Sequence, residues 1–123
     1  MSPDAFEAAC LALAAAHKVV QWGGSDVYKV GPKVFAIASR FEARQPVGYI
    51  FKVSDLAFEL LIEHGLAGPA PYLGRAKWVK LKGQDALDDA DLAAYLREAH
   101  AIVAAKLTRA QRKALGLPER MRA

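Results

Sequence analysis

Cysteine is nearly absent from this sequence: Cys10 stands alone among 123 residues. A single thiol excludes an internal disulfide and any zinc site built on several cysteines, and it suits a reducing compartment. Histidine is scarce too. His17, His64 and His100 lie far apart, none at zinc-motif spacing from another histidine or a carboxylate. Each falls on or near the end of an expected helix, which points to surface or helix-capping roles. No apolar run reaches membrane-spanning length, and the opening MSPDAFEAAC lacks the basic and apolar regions of a secretory signal. The expectation is a soluble, cytoplasmic protein without membrane contact. Glycine-rich phosphate loops of the dinucleotide-binding and Walker types are missing. GGSDV around Ser25 departs from a nucleophile turn, because Val27 stands where a second glycine belongs. Ser25 is therefore expected to close a hairpin. Cys10, on the apolar side of the first helix, is expected to be an inert core thiol. The chain is read as not an enzyme, with no catalytic residue, metal or cofactor assigned.

What is present is a globular composition, 54% hydrophobic and 24% charged, in a length that holds one core and not two. The net charge is +4 and its placement is uneven. From Thr108 onward Arg109, Arg112, Lys113, Arg120 and Arg122 face Glu119 alone, so the first 107 residues balance to zero. Residues 1–107 are read as a single domain and 108–123 as a basic tail able to form a short helix capped by Thr108. Within the neutral body, Lys18 to Lys52 is mostly basic and Arg75 to Lys82 wholly so, whereas Asp85, Asp88, Asp89, Asp91 and Glu98 cluster further on. Such segregation favours an anionic partner.

Periodicity supplies the order of elements. Ser2-Pro3 with Asp4 and Glu7 opens a helix that carries Phe6, Cys10 and Leu13 at helical spacing to about Ala16. VVQW, DVYKV, KVFAIA and VGYIFKV are short, β-branched and aromatic, separated by Gly23-Gly24, by Gly31-Pro32 and by the polar stretch from Ser39 to Pro46. They read as an antiparallel meander. Ser54-Asp55 opens a second helix that ends near His64-Gly65. KWVKLK alternates as a fifth strand, with Val79 and Leu81 on one face and Trp78, Lys80 and Lys82 on the other. Asp88 or Asp89 caps a third helix reaching about Leu107. The resulting order, α-β-β-β-β-α-β-α, predicts an α+β fold: an antiparallel sheet of about five strands with helices packed on one face and solvent on the other.

Trp22, DVYKVGPKVFAIA at 26–38, FKVS at 51–54, PAPYLGRAKWVKL at 69–81 and ALDDADLAAYL at 86–96 together resemble the MmcQ/YjbR-like family, over nearly the whole chain to about Leu115. The resemblance implies a CyaY- or frataxin-type α/β sandwich and a DNA-binding role assigned by analogy to winged surfaces. One departure stands out: Ala99-His100 replaces the Ser-Tyr that members often carry in the last long helix. Frataxin-like architecture would also suggest iron, but the first helix offers only Asp4 and Glu7, and the denser acidic group is explained by helix capping.

Two functions are therefore expected to compete. In the first, DNA phosphates meet Lys29 and Lys33 around the Gly31-Pro32 turn, like a wing, together with Arg75, Lys77, Lys80 and Lys82. A plainer account makes these a solvated strand face that discourages edge pairing. In the second, Trp22, Tyr72 and Trp78 line a pocket for another protein or a small ligand, although such aromatics also serve as core-rim packing.

Overall fold

The computed structural model describes residues 1–40, 47–71 and 73–118. Tyr72, the connection at 41–46 and the tail residues Arg120 and Arg122 lie outside them. Helix α1 spans Pro3–Leu11, with the Ser2 hydroxyl accepting from the Ala5 amide. It stops short of the expected Ala16. Ala15 takes a left-handed φ of 57°, which turns the chain into strand β1, Ala16–Gln21, paired with β2, Ser25–Val30. Pairing of Ala16 with Val30 overrides the helical preference of the alanine run. His100 holds this corner: its Nε2 lies 2.7 Å from the Ala14 carbonyl oxygen. It is a buried mid-helix residue packed edge-on against Phe35 at 5.4 Å, not a surface or capping histidine.

Strands β3, Lys33–Ser39, and β4, Gly48–Lys52, continue the meander, and helix α2, Asp55–Glu63, follows from its Ser54 cap. A sixth strand appears where five were expected. Short β5, Ala67–Pro69, pairs with β6, Trp78–Leu81, and the fully antiparallel sheet runs β1-β2-β3-β4-β6-β5. Three residues containing glycine and proline give no strand signal on their own. A single 3-10 turn at Gly74–Ala76 lies between β5 and β6. Helix α3, Asp89–Ala104, is capped by Asp88, whose carboxylate accepts from the Asp91 amide. The basic segment after Thr108 does form helix α4, Arg109–Ala114, with a complete capping box to Gln111. Leu117 beyond it is buried in the main core.

The core lies between the sheet and the helices. Phe6 stacks on Tyr49 at 4.2 Å with rings 6° apart and meets Tyr28 edge-on at 5.8 Å. Tyr49 donates its hydroxyl to the Met1 carbonyl at 2.7 Å. Burial, aided by Asp85 and Asp89, pushes the Tyr49 phenol up to about 12. A phenol raised on folding stabilises the fold fully below its unfolded value of about 10, and that contribution is lost as pH rises through 12. Stability measured by urea melts is therefore expected to fall between about pH 10 and 12, and to fall less steeply in Tyr49→Phe; identical slopes would contradict the assignment. Cys10 is fully buried among the same residues, and burial, reinforced by Glu7, drives its thiol above the ordinary range.

Candidate nucleic-acid interface

Register decides which side chains share the face opposite the helices. Val27 pairs with Ile37 and Ile37 with Ile50, and these three, with Ala70, form a second small buried cluster apart from the main core. Paired residues in an antiparallel sheet point to the same side. Lys80 opposite Ile50, Lys29 opposite Val34 and Trp78 opposite Lys52 therefore belong to this open face. Val34 is on it because β3 carries a bulge between the pairs Lys29–Val34 and Tyr28–Ala36. The extra residue, Phe35, turns with Ala36 into the main core.

The face is not the bare solvated sheet that alternation predicts. The chain after β5 folds back across it, and Ala70 and Leu73 pack on Val27, Ile37 and Ile50, with Trp78 and Val34 at the margin. Ala70 and Leu73 thus build a hydrophobic mound, held by the Ala70 amide on the Trp78 carbonyl at 3.0 Å and the Trp78 amide on the Leu73 carbonyl. This mound is what inspection of single segments misses. Leu73 is its only signal in sequence, an apolar residue in a run otherwise suited to a turn.

The predicted cations divide accordingly. Lys29 and Lys80 stand beside the mound, Lys82 continues the alternation at the exposed end of β6, and Arg75 is exposed on the 3-10 turn. The Lys80 side chain lies across Gly48, where an added Cβ would come within 2.7 Å of its Cε. Lys33 pairs with Val30, a main-core residue, so it projects to the helical side and away from Lys29. Nor does the turn between them reach out as a wing. Gly31, at φ 58°, packs its Cα so close to the leucines flanking α4 that a Cβ would meet Leu115 Cδ1 at 3.0 Å and Leu107 Cδ2 at 3.7 Å. Lys77 is also withdrawn: it has a left-handed φ of 62°, and its ammonium lies 4.7 Å from the Phe58 ring centroid. Lys52 shares the open face but donates to the Ala76 carbonyl. Burial, with Lys106 and Lys77 nearby, pushes its ammonium below the ordinary value.

The aromatic residues do not converge. Trp22, 48% exposed, sits in the β1–β2 turn at one sheet edge, with φ 50°. Trp78 is four strands across, about 19 Å at ordinary strand spacing. These two cannot line one pocket, and Tyr72 lies outside the described residues. Ser25, expected to close a hairpin, is buried and does so: its hydroxyl donates to the Trp22 carbonyl at 3.2 Å and accepts from the Arg40 amide at 2.8 Å. Among the described residues, no group of three histidine, cysteine or carboxylate side chains is placed to hold a metal ion. No helix among them is long and apolar enough to cross a membrane.

Carboxylates keep to the other side. Asp26 is the one acidic residue in any described strand; it pairs with main-core Ala38 and holds Arg40 at 3.6 Å. Glu7 likewise takes Lys18 at 2.5 Å on the helical side. The family model for YjbR matches residues 11–102, three quarters of the chain, from the last residue of α1 into α3. The chain belongs to the YjbR family. No curated protein matches it. A crystal structure of Deinococcus radiodurans protein DR2400, described as a DUF419 domain, is similar to this YjbR chain over 97% of its length and 91% of the other's. The TM-score is 0.81 at 24% identity, a likeness of fold. Helix α4, whose Leu115 meets Gly31, follows the stretch that the YjbR family model matches.

Proposed function

We propose that this protein binds duplex DNA through its open sheet face, making phosphate contacts with Lys29, Arg75, Lys80 and Lys82 and reading little sequence. The observation that carries this reading is the sorting of charge by face: four cations around the mound, with no carboxylate among the described strand residues on that side. Lys29 and Lys80 are three strands apart, about 14 Å, comparable with the roughly 12 Å width of a major groove bounded by two phosphate rims. The apolar mound between them fills the space where base-stacking aromatics would have to lie. Trp78 is committed to its margin, which favours backbone contact over base recognition. A role in regulating transcription would follow from such binding.

Anisotropy of a labelled duplex, titrated at several salt concentrations, tests the proposal. Each neutralised phosphate contributes about −0.9 to the slope of log affinity against log salt, so four contacts give about −3.6. Absence of binding at low salt, or affinity indifferent to salt, would contradict it.

A further inference from the structure

The helical side carries a second surface with the opposite character. Between α2 and α3 runs an open trough of about 570 Å³. Leu56 and Leu60, four residues apart on α2, line it while 67% and 41% exposed. Across from them stand Ala94 and Tyr95 of α3, and the small Ala94 side chain leaves the trough open. Its α3 rim is acidic. Asp91 and Glu98 line that side, and no lysine or arginine among the described residues lines the trough; Asp55, Glu59 and Glu63 recur every four residues on α2 outside the lining.

We propose that this trough receives an amphipathic helix of a partner protein, with leucine-type residues against Leu56 and Leu60 and lysines or arginines against the acidic α3 rim of Asp91 and Glu98. Two exposed leucines at i and i+4 beside a small residue match the spacing at which a helix presents anchors to a groove. Charge complementarity selects the occupant. The anionic rim repels nucleic acid, and an open trough encloses little of a small molecule. A second copy of this chain is a poor fit, because α1, α2 and α3 begin with acidic residues and the leucines that follow the basic helix α4, Leu115 and Leu117, pack into the core. The trough lies on the opposite side from the basic sheet face, so the two partners do not compete.

The probe is a synthetic sixteen-residue peptide with leucines at helical i, i+3, i+4 and i+7 positions, flanked by lysines. A scrambled peptide of the same composition and a version with glutamates for the lysines are the controls. The lysine-flanked peptide is expected to shift the amide resonances of Leu56, Leu60, Ala94 and Tyr95, with both controls at least tenfold weaker. Serine at both Leu56 and Leu60, a change at exposed positions that leaves the charge intact, is expected to weaken binding at least tenfold. Shifts confined to other elements, equal binding of the scrambled peptide, undiminished binding by the serine variant, or no binding would each overturn the proposal. So would concentration-dependent dimerisation that perturbs the same four resonances without peptide. Should the serine variant fail to fold, the two control peptides on the native protein still decide.

Discussion

Reversing Lys29, Arg75, Lys80 and Lys82 to glutamate together is expected to lower affinity for duplex DNA by roughly several thousandfold near 0.1 M salt. At that concentration each phosphate contact, with its slope of about 0.9, carries a little under a factor of ten. All four side chains stand at the surface or half-buried beside the mound, so the fold should survive; exposed substitutions generally cost within about 0.5 kcal/mol. The control must change net charge equally while leaving the face intact. Glutamate at Lys33 on the helical side of β3, at Arg97 of α3, at Lys106 just beyond that helix and at Lys113 of α4 does so. Its effect is expected to stay within several-fold, because these side chains project away from a duplex on the open face and act on it only through the salt-screened field. Equal losses in the two variants would mean that net charge, and not this face, governs binding.

The second large effect concerns the core that holds the face in place. Phe6 is fully buried, stacked on Tyr49 and edge-on to Tyr28, and so ties α1 to strands β2 and β4. Phe6→Ala removes both ring contacts and leaves a cavity that rigid strands on one side cannot close. The expected cost is about 3–5 kcal/mol, a large share of the roughly 5–15 kcal/mol typical of a domain. Tyr49→Phe keeps the stack and loses only the hydrogen bond to the Met1 carbonyl, for about 1–3 kcal/mol. Urea denaturation of both variants checks the order. A Phe6→Ala cost under about 1 kcal/mol would show that α1 packs loosely and contributes little.

Local signals in the sequence were sufficient wherever the chemistry is local. Ser2, Ser54, Asp88 and Thr108 cap helices as their side chains predict, and the alternation of Trp78 to Leu81 assigns its faces correctly. Failures came where a distant segment decides. Lys29 and Lys33 are neighbours across a turn, yet one pairs with a residue of the small cluster and the other with a main-core residue, so they part to opposite sides. Lys77 lies next to Trp78, but a left-handed backbone sends its ammonium over Phe58 on α2. The alanines after Leu11 favour helix until β2 offers Ala16 a partner. His100 became structural through contacts with Ala14 and Phe35, both remote in sequence. The run PAPYLGRAKWVKL shows both outcomes: its strand was legible, while the mound made by Ala70 and Leu73 required knowing that the chain folds back over Ile37 and Ile50.

The difference in salt slope between the native protein and the fourfold glutamate variant tests the central claim most directly, since the slope counts phosphates rather than affinity. The open-face account predicts a native slope of about −3.6 that falls towards zero in the variant. A variant that keeps the native slope would contradict it and would locate the DNA-binding charge elsewhere on the molecule.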